Sequence, residues 1–107
     1  MTDDPTRPTT APPRAPAAFH VGPGHRIVHG NPPFVDRFGA ASIGQPAREA
    51  MLGLPPKAFE LMDHVLRTGK AGACRFSSTG RPSRLVVAPR IDPVTGVPFG
   101  VTTHLTT

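Results

Sequence analysis

The chain has 107 residues, 37% of them hydrophobic, with 15 Pro, 11 Gly, a single Cys and a formal net charge of +5. That length suits one domain with a thin margin of stability. No run approaches the ~20 apolar residues of a membrane-spanning helix or forms the apolar core of a signal peptide, and one Cys excludes an internal disulfide, so a cytoplasmic protein is expected.

The first 18 residues hold Pro5, Pro8, Pro12, Pro13 and Pro16 but no Val, Ile, Leu or Phe. Such a segment has nothing to bury and is expected to be a disordered, polyproline-leaning tail ahead of a domain over residues 19–107. Phe19–Val21 and Arg26–His29 follow as two short strands around the turn formers Gly22-Pro23-Gly24. Asn31 has the profile of a helix N-cap, with Pro32 at the first helical position, where its missing N–H costs nothing. A short helix is predicted over Pro32–Phe38, stopped by Gly39, and a second helical turn over Ala47–Leu52.

The longest predicted helix runs from Pro56 to Thr68 and ends at Gly69. Ala58, Phe59, Met62, Val65 and Leu66 recur at amphipathic spacing, while Lys57, Glu60, Asp63, His64 and Arg67 take the opposite, solvated side. Three strands close the chain, over 72–77, 83–91 and 97–105. In the last two, Leu85, Val87, Pro89 and Ile91, then Val97, Phe99, Val101, Thr103 and Leu105, alternate with residues that include Arg84, Arg90 and His104. The odd-numbered side is therefore the expected core face. The element order gives an α+β fold: a five-stranded antiparallel sheet with short helices and one longer helix on one face.

The same landmarks, His-Gly-Asn-Pro-Pro-Phe-Val-Asp-Arg-Phe-Gly (29–39), Ile-Gly-Gln-Pro-Ala-Arg-Glu-Ala (43–50), Val-Leu-Arg-Thr-Gly-Lys (65–70), Asp-Pro-Val-Thr-Gly-Val (92–97) and Gly-Val-Thr-Thr-His-Leu-Thr (100–106), resemble a PAS domain. The resemblance covers roughly Phe19 to Thr107 and implies a sensory or docking module of signalling proteins. In PAS photosensors of the LOV type a cysteine follows a Gly-Arg-Asn turn; the matching segment is Gly44-Gln45-Pro46-Ala47-Arg48, so Ala47 holds the thiol position and cannot be a nucleophile. Haem-binding PAS domains hold iron through a His two to three turns before the Thr-Gly helix end, a register that falls here near Ala58 and Phe59. His64 lies too late, on the polar side. The other histidines (20, 25, 29, 104) lack the paired spacing of a metal site, and His20 and His29 on adjacent strands, even if brought near each other, would be two ligands without a nearby Cys or carboxylate, a weak site. Neither a cofactor nor a metal is expected. Where PAS domains often end in Asp-Ile-Thr before an output helix, this chain reads His104-Leu105-Thr106 and stops, which suits either a free-standing protein or a fragment of a larger sensor.

No ordered nucleophile, base and acid or glycine-rich phosphate loop supports catalysis; together with the PAS resemblance, this implies a non-catalytic sensory domain acting by protein interaction. A small apolar ligand could be held among Phe38, Ile43, Met51, Phe59, Met62, Leu66, Phe76 and Val87, residues that equally suit a plain core. Cys74 reads as a small core hydrophobe. The outward sheet face would carry Val86, Ala88, Pro98, Gly100 and Thr102 beside Arg84, Arg90 and His104, an apolar patch with a basic rim suited to a homodimer or a protein partner. The rival reading is a nucleic-acid-associated protein using the arginines. They do not form a run and lack interleaved aromatic platforms, which speaks against it.

Overall fold

A computed structural model of the chain describes residues 15–78 and 80–106. The N-terminal segment assigned as a tail lies, up to residue 14, outside them. The strands are β1 (Ala17–Val21), β2 (Arg26–Gly30), β3 (Gly72–Ser78), β4 (Arg81–Ile91) and β5 (Pro98–Thr106), and the α-helices are α1 (Pro32–Phe38), α2 (Ala47–Ala50) and α3 (Pro56–Thr68). A 3₁₀ turn covers Ala40–Ser42. The strands form one antiparallel sheet in the order β2-β1-β5-β4-β3. The α+β expectation holds, including the order of elements. Pairing in β1 begins two residues before Phe19, at Ala17, which faces His104.

Local chemistry explains the helix ends. The Asn31 side chain accepts from the Phe34 N–H at 3.0 Å, as an N-cap should. It also accepts from Ala17 N–H at 2.9 Å and donates to the Ala15 carbonyl at 3.0 Å, so one side chain starts α1 and fixes the entry of β1. Gly69 ends α3 with a φ of 73° and returns its N–H to Val65. Along the free side of β2, residues 44–47 bond back to the strand: Ile27 N–H to the Gln45 carbonyl at 2.9 Å and Gly44 N–H to Ile27 at 2.7 Å. That strap satisfies a sheet edge that would otherwise invite pairing.

The core lies between sheet and helices. Ile27, Phe34, Met51, Met62, Val65, Leu85, Val87 and Val101 are fully buried, each side chain stabilising by about 1.5–3 kcal/mol. From α3, Ala58, Phe59, Met62 and Val65 face inward as their spacing predicts. The odd-numbered rule holds for Leu85, Val87, Val101, Thr103 and Leu105 but fails at one end: Ile91, Val97 and Phe99 are 45%, 58% and 44% exposed. The register slips there, Arg90 facing Gly100 while Ile91 faces Pro98. The extra residue, Phe99, breaks the two-residue alternation, and parity does not carry through a bulge.

Candidate functional site

The interior holds a polar cluster that the spacing of histidines did not reveal. β1 turns Ala18 and His20 inward, and both are buried. The His20 Nε2 shares a 2.9 Å hydrogen bond with the Thr103 hydroxyl on β5, and its Nδ1 is buried without a hydrogen-bond partner. His25 ends the β1–β2 turn at φ 52°, a left-handed conformation that costs a non-glycine residue about 1 kcal/mol. Its ring is likewise buried, and Nε2 donates to Asp63 Oδ1 on α3 at 2.6 Å. The other Asp63 oxygen accepts from Arg48 on α2 at 3.1 Å. Asp63 is thus no purely solvated residue of the polar face: it links the hairpin turn, α2 and α3. The His25 Nδ1 also lacks a partner.

Burial holds the His20 imidazole at about 4, below its ordinary 6.5. The His25 backbone pulls partly the other way without a hydrogen bond of normal geometry, and the His25 ring adds a smaller lowering. At neutral pH His20 is therefore an uncharged ring with one bare nitrogen in the interior. The buried pair was missed because His25 sits in a turn, where no periodicity announces burial. The side of His20, by contrast, was readable from its alternation with Ala18.

His20 and His29, on adjacent strands, do not come together. Phe19 faces His29 across the hairpin, and His29 is exposed while His20 points into the core. His64 is exposed, as its place on α3 predicts. Among the described residues no group of three or more His, Cys, Asp or Glu is placed to hold a metal ion. Ala47 opens α2 fully buried, its N–H bonded to the His25 carbonyl at 3.0 Å. Cys74 is half-buried against the core, and burial raises its thiol pKa.

Of the residues named for an apolar ligand, Met51, Phe59, Met62, Phe76 and Val87 belong to one core cluster, and Phe38 and Leu66 pack against it. Ile43 stands apart, 39% exposed. Two open grooves flank these residues. One, of about 210 Å³, includes Phe76 between Arg75 and Arg84, and the other, of about 300 Å³, includes Leu66 beside Asp63.

The opposite face of the sheet gathers the other predicted set. Val86 faces His104 and Ala88 faces Thr102 across β4 and β5, with Arg84 opposite Thr106 and Arg90 opposite Gly100. Gly100 is not open ground. Phe19 of β1 lies over it, and a Cβ there would stand 2.2 Å from the His20 carbonyl oxygen. The Arg90 guanidinium sits 4.9 Å above the Phe19 ring, and Phe99 meets that ring edge-on at 6.1 Å. The patch is therefore wider than the even-numbered residues alone suggest, because the bulge turns Phe99 toward it.

No protein-family model matches the chain, and no curated protein matches it. Solved structures do. A sensory box sensor histidine kinase from Vibrio cholerae superposes with a TM-score of 0.72 at 15% identity, over 86% of this chain and 80% of that one. The PAS domain of BvgS from Bordetella pertussis gives 0.64 at 18% identity, over 87% and 76%. A fungal LOV domain photoreceptor gives 0.62 at 18%, over 95% and 81%. At these identities the likeness shows the fold, and the fold is that of a PAS domain. No helix among the described residues is long and apolar enough to cross a membrane.

Proposed function

We infer that this is a non-catalytic sensory domain of the PAS type that passes its signal by protein contact through the outer face of the sheet. One observation carries the reading: Val86, Ala88, Thr102 and His104 share a face against which no described helix packs, and Phe19 and Phe99 widen it. An apolar centre with a polar rim is the anatomy of a docking surface. The nucleic-acid reading has less support, because phosphates would have to lie over that apolar centre. A small apolar ligand among Met51, Phe59, Met62, Phe76 and Val87 is a further part of the proposal, supported by their meeting in one cluster. With no Trp or Tyr in the chain, a bound chromophore would dominate the absorption spectrum of purified protein.

The test is site-specific photo-crosslinking in the source cells, with the reactive residue placed at position 86 on the sheet face or at position 60 on the exposed side of α3. A discrete protein adduct from position 86, to a second copy or to another protein, and none from position 60 is the expected result. Adducts only from position 60 would overturn the reading.

A further inference from the structure

Charge is divided between the two layers of this domain. The five strands contain Arg26, Arg75, Arg81, Arg84 and Arg90 and not one Asp or Glu. Elsewhere in the sequence seven basic residues balance seven carboxylates, so the sheet accounts for the whole +5 excess. Three of its arginines flank the outer face. Arg75 and Arg84 are directly opposite on β3 and β4, an arrangement of like charges that is destabilising. Neither has a carboxylate partner among the described residues. Arg90, six residues along β4, rests on the Phe19 ring.

We propose that the occupant of this face is an acidic amphipathic helix from a separate protein, with carboxylates at both ends and an apolar stripe between them. This rests on the outer face being the contact surface and adds what it contacts. Six residues of strand span about 20 Å, which a helix covers in about 13 residues. Carboxylates near one end meet Arg75 and Arg84 and relieve their repulsion; one near the other end meets Arg90. The stripe between lies on Val86, Ala88 and the Phe19 edge. A helix fits better than an added strand, because a sheet face offers side chains while its backbone groups are already paired.

A second copy fits less well. A two-fold pairing sets the same surface against itself, bringing three arginines of each copy together with no carboxylate on either face. Nucleic acid also fits less well. Its charges recur about every 3.4 Å along a strand, so several phosphates would lie over Val86 and Ala88 and lose water without gaining a partner.

The experiment uses the full chain and three labelled probes followed by fluorescence anisotropy: a helical peptide of about 16 residues with Glu near both ends and a Leu/Ala stripe, the same peptide with Lys for Glu, and a short DNA duplex. The acidic peptide is expected to bind, to weaken as salt screens the ends, and to weaken about tenfold for Arg75→Glu/Arg84→Glu, while the Lys peptide gains on that variant. Equal binding of both peptides, tighter binding of the duplex, or no binding of the acidic peptide up to about 1 mM overturns the proposal. Light scattering of the same samples separates this failure from that of the contact surface itself. Self-association abolished by Val86→Glu would keep the face and reject the acidic partner.

Discussion

Acidification should destabilise this domain through His20. The ring is uncharged in the folded protein until pH falls to about 4, whereas in an unfolded chain it takes a proton near 6.5. Between those values the unfolded state binds more protons, so stability falls as pH falls; above 6.5 the residue contributes no pH dependence. At about 1.4 kcal/mol for each pH unit, the full window removes about 3 kcal/mol. That is a large share of the 5–15 kcal/mol on which a domain of ordinary stability rests. Urea denaturation followed by circular dichroism across this window measures the loss, with His20→Gln as the reference because an amide does not titrate. Carboxylates contribute equally to both proteins and cancel. The wild type should lose about 3 kcal/mol more than the variant between neutral pH and pH 4. Coincident slopes would refute the reasoning, as would a His20 ring signal in wild-type NMR spectra that titrates near 6.5.

Two further changes test the frame around the site. Asn31→Ala removes the hydrogen bonds to Ala17, Phe34 and Ala15 and should cost about 2 kcal/mol in urea denaturation, more than an isolated exposed cap. Gly100→Ala would set a methyl group 2.2 Å from the His20 carbonyl oxygen. Backbone cannot yield as a flexible side chain can, so a loss of at least about 2 kcal/mol is expected, together with a changed near-ultraviolet signal from the phenylalanines.

The sequence made the local punctuation readable and left much of the tertiary chemistry hidden. The bounds of α3 follow from Pro55-Pro56 and Gly69, and those of α1 from Asn31 and Gly39, because capping is a property of adjacent residues. The outer set, Arg84, Val86, Ala88, Arg90, Thr102 and His104, followed from period-two alternation and shares one face of the sheet. What failed was non-local. A single inserted residue at Phe99 reversed the facing of that end of β5. Asp63 looked solvated on a helical wheel, which cannot show a turn from another part of the chain arriving above it. His25 is buried because the 44–47 strap and α3 close over it, a contact across 38 residues with no local mark.

The inner cluster and the outer face meet at two consecutive residues. His20 enters the core and bonds to Thr103, while Phe19, its neighbour, lies on the other side of the sheet over Gly100 and beneath Arg90. Thr103 and Thr102 repeat the alternation on β5, one toward His20 and one toward Ala88. A strand transmits displacement across its own thickness, since the side chains of adjacent residues share one backbone unit. A Cβ at position 100 would overlap the His20 carbonyl oxygen and crowd the Phe19 ring, so β1 and β5 are closely apposed where His20 and Phe19 diverge. Asp63 extends the same connection to α3 through His25 and to α2 through Arg48. β1 thus joins the buried histidine cluster to the outer face of the sheet, and substitution at His20 or Asp63 should alter contacts on a surface that neither residue touches.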